Sequence, residues 1–136
     1  MNDLSDYRIK NAKSRLDASK MLLEEGFYKD SINRSYYAIF DSMRTVLAEE
    51  GVDYKKHAGV IAHFQKEYIK TQKFDVKYSG YIQKAFQIRN DCDYNDFYIV
   101  SQEEAKEQYN NAMEFYMEVC NFFGVKCWIH FEYSGR

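Results

Sequence analysis

The chain contains no proline in 136 residues and only six glycines. These are the two residues that helix interiors exclude most strongly, proline because it lacks an N–H and clashes with the preceding turn, glycine because of its backbone entropy. Their scarcity leaves long helices joined by few turns as the readiest way to organise the chain. The length suits one domain. With 46% hydrophobic and 29% charged residues the composition is globular. Thirteen tyrosines and ten phenylalanines supply a large apolar core.

Five helical segments follow from apolar spacing at three and four residues. The first runs from about Leu4 to Glu25, with Ile9, Ala12, Leu16, Ser19, Leu22 and Leu23 on its stripe, and Gly26 closes it. The second, from about Phe27 to Glu50, aligns Ile32, Tyr36, Ile39, Phe40, Met43, Val46 and Leu47, and Gly51 ends it. The third carries Ala58, Ile61, Phe64 and Tyr68 on one face. The fourth begins near Val76, carries Tyr78, Tyr81, Ile82, Ala85, Ile88 and Cys92, and is expected to dissolve in "DCDYND". The fifth starts at a capping box, Ser101 with Glu104, and runs through Ala105, Tyr109, Ala112, Tyr116, Val119 and Phe123 to Gly124. Short connections predict antiparallel neighbours, so the expected fold is all-α, an up-down bundle of four to five helices over residues 1–124. The tail, residues 125–136, alternates apolar and polar positions (Val125, Cys127, Ile129, Phe131, Tyr133) and reads as extended.

No apolar run reaches the roughly 20 residues of a membrane span, and the N-terminus lacks an apolar leader core, so a cytoplasmic protein without membrane contact is expected. Cys92, Cys120 and Cys127 have no metal-ligand spacing and read as reduced thiols. No Glu-x-x-His pair, Gly-rich phosphate loop or nucleophile elbow is present, so no metal or cofactor is expected. The net charge of −2 is unevenly spread. Residues 55–77 carry six lysines against two acids, and residues 91–118 carry eight acids against one lysine. Either the two blocks attract each other as neighbouring faces, or the basic block meets a polyanion or an acidic partner.

Two segments carry a resemblance. The second helix reads "DSINRSYYAIFDSMRTVL", with "NRSYYAIF" its most specific part, and the fourth ends in "IRNDCDY". Together they resemble the HEPN family, and within it the small stand-alone members encoded beside minimal nucleotidyltransferases. The resemblance covers about residues 4–123. It implies a homodimer with an arginine motif in a cleft at the dimer interface. Many members are metal-independent ribonucleases, often toxins, whose motif is an arginine, a polar residue, a short spacer and a histidine. Arg89 and Asn90 match its start, but Tyr94 holds the histidine position, as an Asp-Tyr pair does in similar members of the subgroup.

The substitution matters chemically. Cleavage through a 2′-hydroxyl needs a group that exchanges protons near neutral pH; imidazole does so and a phenol, titrating near 10, does not. Arg89 can still hold a phosphate bidentately. The candidate catalytic set is therefore Arg89, Asn90, Asp93 and Tyr94, and the candidate RNA- or nucleotide-binding set is Arg89, Arg34 and Tyr37. Arg34, between Ile32 and Tyr36, is read as partly buried and paired; Tyr36 and Tyr37 as packing residues; His57 as flanking the third helix. Arg89 and Asp93 also fit a plain i,i+4 ion pair. Three functions stay open: the HEPN component of a toxin–antitoxin-type pair with weak or no catalysis, partnering a minimal nucleotidyltransferase; a metal-independent ribonuclease; and a helical adaptor without nucleic-acid contact.

Overall fold

The computed structural model describes residues 1–126, and every described segment with regular structure is helical. The helices are α1 (Asp3–Glu24), α2 (Tyr28–Glu50), α3 (His57–Phe64), which passes into a π-helical turn (Gln65–Ile69), α4 (Lys77–Tyr94) and α5 (Gln102–Phe123). Of the tail, Val125 and Lys126 are exposed and irregular, and the rest of that expectation lies outside the described residues.

α1 and α2 form a hairpin whose direction can be read from its polar links. Asn2 reaches Ala48 and Glu49, Arg8 reaches the Arg44 carbonyl, and Ser19 reaches Ser31 and Ser35. Rising numbers on one helix meet falling numbers on the other, so the pair is antiparallel. Near the turn, small side chains let the helices approach. The Ser19 hydroxyl lies 2.6 Å from that of Ser35, and the Ser31 hydroxyl donates to the Ser19 carbonyl at 2.9 Å, so these buried polar groups satisfy one another. Gly26, with φ +88°, takes the left-handed residue that ends α1.

α4 and α5 are likewise antiparallel. Lys77 and Tyr78 meet Glu114, and Lys84 meets Glu107. Two members of the basic and acidic blocks, Lys77 and Glu114, are therefore joined across this interface. α5 opens with the full capping box: the Ser101 hydroxyl accepts from the Glu104 N–H and the Glu104 carboxylate accepts from the Ser101 N–H. The core runs between the helices and is built from Leu16, Ile39, Met43, Leu47, Phe64, Ile82, Phe115, Tyr116 and Val119, all at most 1% exposed.

One segment differs from the sequence expectation and one helix end agrees with it. The third segment leaves α geometry after Phe64, with Lys70 N–H donating to the Gln65 carbonyl at 2.9 Å. The wider turn lets Phe64, Tyr68 and Ile69 all face the core. α4 ends at Tyr94, inside the "DCDYND" stretch where it was expected to dissolve. Arg89 and Asp93 thus lie on one continuous helix, one turn apart.

Candidate functional site

Arg89 sits in the last turns of α4, and its side chain lies across α2. The guanidinium carbon is 5.0 Å from the Tyr36 ring centroid and 5.8 Å from that of Tyr37. One terminal nitrogen donates to Tyr37 Oη at 3.3 Å and the other to Asn90 Oδ1 at 3.4 Å. Nε lies 3.0 Å from Asp93 Oδ2. Its N–H is buried but poorly aligned with that oxygen, so the contact is an ion pair rather than a good hydrogen bond. A guanidinium has five N–H donors in a planar fork. With Nε turned to Asp93 and one hydrogen on each terminal nitrogen engaged, two donors remain. A guanidinium with donors to spare can bind a phosphate oxygen.

The two tyrosines set this position. Tyr36 is 2% exposed and belongs to the core; Tyr37, one residue on, is half-buried at its edge. Their rings meet edge to face, 5.2 Å between centroids. Tyr37 also lies under a second cation, with the Arg15 guanidinium 5.6 Å from its centroid. Arg15 Nε is in turn 3.4 Å from Asp41 Oδ2. Asp41 is buried, and burial holds its carboxyl above the usual range despite Arg15, Arg44 and Arg8.

A histidine completes the cluster. His57 is the first residue of α3, and its Nδ1 is 2.8 Å from Tyr36 Oη. The ring lies 4.1 Å from that of Phe40 and 5.8 Å from those of both Tyr36 and Tyr37. Burial, then the positive charges of Arg89 and Arg44, hold His57 below the ordinary imidazole value, so it is neutral at pH 7. Burial likewise pushes the Tyr36 phenol well above its usual range. Nothing in the spacing of the sequence joins His57 to Arg89. Arg15 and Asp41 were equally hidden, although an aspartate within the apolar run around Phe40 and Met43 was a signal of a buried polar partner.

The sequence candidates therefore separate. Asn90, Asp93 and Tyr37 each contact Arg89. Tyr94 is 80% exposed in the single chain. Five residues after Arg89 it stands about 140° around the helix, whereas Asp93 returns to the same face. Arg34 requires a correction: it is exposed rather than partly buried and paired. Ser31, Ile32, Ser35 and Tyr36 take the inward face of α2, and position 34 falls outside it. The Cys92 thiol is pushed up, first by burial and then by Asp93, Glu104 and Asp91, which disfavours a thiolate there. Among the described residues no three His, Cys, Asp or Glu side chains are placed to share a metal ion, and no helix is long and apolar enough to cross a membrane.

An all-α bundle that presents an arginine fork at the end of its fourth helix, floored by two tyrosines of its second, defines a class of small helical proteins. The HEPN domain family matches residues 5–122, and the chain belongs to that family. A Methanocaldococcus jannaschii protein named "Putative toxin" is 36% identical over 98 residues, 72% of this chain and 67% of its own length. A second protein of that organism with the same designation is 36% identical over 86 residues, 63% of this chain and 64% of its own length. A Thermotoga maritima protein named UPF0332 protein is 30% identical over 110 residues, 81% of this chain and 83% of its own length.

Proposed function

We propose that this protein is the HEPN component of a toxin–antitoxin-type pair, and that its Arg89 cleft binds single-stranded RNA through a backbone phosphate. The observation that carries the reading is the Arg89 fork, seated on Tyr36 and Tyr37 with two N–H donors uncommitted. The family match and the toxin-named relatives support the two-component role. The partner is a minimal nucleotidyltransferase, as the resemblance of the second helix and the arginine motif implies. A fork of this kind recognises the phosphate rather than the base, so the binding is sequence-tolerant. Exposed Lys55 and Lys56, next to His57 in the chain, add positive charge along the approach.

The working form is a homodimer. Tyr94, which ends the motif, and Phe97 and Ile99, which follow it in the chain, are 80%, 91% and 86% exposed, apolar surface that a second copy would cover. In that assembly Tyr94 completes the cleft with Arg89, Asn90 and Asp93. A phenol in place of the motif's imidazole is a poor proton-transfer group, so the motif residues alone give weak cleavage or none. The test is to express the chain with and without its genomic neighbour. Growth arrest by the chain alone, relief by the neighbour, a stable complex of the two, and loss of arrest in Arg89→Ala are expected. No complex and no RNA bound by the purified chain would leave the adaptor reading in its place.

A further inference from the structure

The lysines of the basic block, residues 55–77, are all exposed. Lys77 is held by Glu114, but Lys55, Lys56, Lys66, Lys70 and Lys73 make no ion pair among the described residues. Other lysines are matched, Lys10 with Asp6, Lys13 with Asp17 and Lys84 with Glu107. Of the carboxylates near the block, Glu50 is taken by Tyr68 and His63, and Asp53 by Arg8 and Arg44. That leaves Glu67 and Asp75 against the five. The backbone lines the lysines up. α3 and the π-helical turn bury Val60, Phe64, Tyr68 and Ile69, whereas Ala58, Ala62, Lys66 and Lys70, at steps of four, are exposed. A step of four overshoots an α turn and undershoots the wider π turn, so the change of helix keeps this outer stripe straight. Lys55 and Lys56 precede His57, whose ring lies against Tyr36 and Tyr37, the rings beneath Arg89. The basic surface therefore begins at the fork. It runs the length of an eight-residue α-helix and a five-residue π turn, about 20 Å at about 1.5 Å per residue.

We propose that this lysine face is a backbone track for single-stranded RNA. A strand held at one phosphate by the Arg89 fork continues over Lys55, Lys56, Lys66, Lys70 and Lys73, so the ligand is an oligonucleotide several residues long rather than a mononucleotide. The inference rests on the RNA-binding reading of Arg89. The chemistry of the face selects the occupant. From residue 55 to residue 75 no large apolar side chain is exposed; Tyr54 and Val76 only flank the stretch. A protein interface needs aromatic or apolar anchors at its centre, and a membrane-surface helix needs an apolar face to insert. A phosphate backbone needs only cations spaced along it. The surface of Tyr94, Phe97 and Ile99 has the opposite character, so the two faces suit different occupants. Ammonium groups are point charges on flexible stems, and they follow a strand without reading its bases. The fork fixes where the strand is held, and the track sets how much of it is bound.

The experiment uses the full chain with labelled oligouridylates of about 4 and about 20 nucleotides, and reads the slope of log affinity against log salt for each. The slope is compared because a longer strand offers more binding registers, which raise affinity without adding contacts. For wild type the long strand should give a slope steeper by about 2–3.5, three to five phosphates at about 0.7 each. The triple variant Lys66→Gln/Lys70→Gln/Lys73→Gln should make the long-strand slope shallower by about 2 and leave short-strand affinity within a few-fold. Arg89→Ala should weaken both strands. All three lysines are exposed, so helical content should hold. If the triple variant does not fold, Lys55→Gln/Lys56→Gln carries the same test, with a long-strand slope shallower by about 1.4. Equal slopes for the two strands in wild type, or a long-strand slope unchanged in the lysine variants, overturns the inference and leaves the fork reading intact. A triple variant that binds RNA as wild type does but no longer forms a complex with its genomic neighbour gives the face to an acidic protein partner, and also overturns it. Wild-type binding of both strands by Arg89→Ala, with the slope lost in the lysine variants, overturns the fork reading and leaves the track. No RNA bound by wild type overturns both.

Discussion

Arg89→Ala tests whether the fork is seated as described, before any ligand is added. The side chain is 16% exposed, so most of it is held by protein. Its contacts with the Tyr36 and Tyr37 rings contribute about 0.5–1 kcal/mol each. The long hydrogen bond to Tyr37 adds about 0.5 kcal/mol. The pair with Asp93, whose carboxylate is partly solvated, adds about 0.3–0.5 kcal/mol. These overlap rather than add, and a loss of about 2 kcal/mol is expected. For a chain of this length that lowers Tm by about 6–8 °C. Calorimetry or a far-ultraviolet circular dichroism melt reads it directly. The helical spectrum before the transition should be unchanged, because the core residues beneath Tyr36 are untouched. Arg89→Lys should recover only part of the loss, since an ammonium keeps the charge but not the planar fork. A Tm unchanged within about 1 °C would mean that the guanidinium is not packed on the rings, and the geometry assigned to the site would be wrong.

Three further outcomes follow from other parts of the molecule. His57 is held below its ordinary pKa, so the unfolded chain binds its proton first as pH falls; its contribution to stability is complete above about pH 6.5 and is lost below it. Denaturant melts of wild type should therefore weaken from about pH 6.5 downward, and His57→Gln should flatten that part of the profile. Phe97→Asp and Ile99→Asp should each turn a light-scattering dimer toward a species of one chain mass, 16.3 kDa, without lowering the monomer's helicity, because both side chains are exposed in the single chain. Leu16→Ala, at a position with no exposure, should cost about 2–5 kcal/mol, and Ser19→Ala about 1–3 kcal/mol by leaving the buried Ser35 hydroxyl without its partner.

The helices were legible because their signals are local. Gly26, Gly51 and Gly124 adopt the left-handed conformation at the ends the stripes predicted, and the Ser101–Glu104 box forms as its spacing implied. The end of α4 was legible because its stripe gives way to the polar "DCDYND", inside which the helix stops at Tyr94. The helix persists from Asp91 to Tyr94 because helix propensity tolerates those residues and a polar segment at a bundle surface needs no apolar stripe. The site was legible only along one helix. Arg89, Asn90 and Asp93 are neighbours in sequence. Tyr37 entered through a motif, whereas Arg15, Asp41 and His57 reach the same place from α1, the middle of α2 and the start of α3, at separations no local pattern encodes. Arg34 was misjudged for a related reason: adjacency to Ile32 and Tyr36 in the chain does not give adjacency on a helix face, where each residue turns by about 100°.

The claim at the centre of this account is that the Arg89 fork holds a nucleic-acid phosphate. The most direct measurement is the salt dependence of binding of wild type and Arg89→Ala to a single-stranded oligoribonucleotide, followed by fluorescence anisotropy. Each phosphate neutralised in a single strand contributes about 0.7 to the slope of log affinity against log salt. The account predicts that Arg89→Ala binds more weakly at every salt concentration and that its slope is shallower by about 0.7–1, the signature of one lost phosphate contact. Superimposable curves for the two proteins would place the RNA elsewhere, or nowhere, and would contradict it.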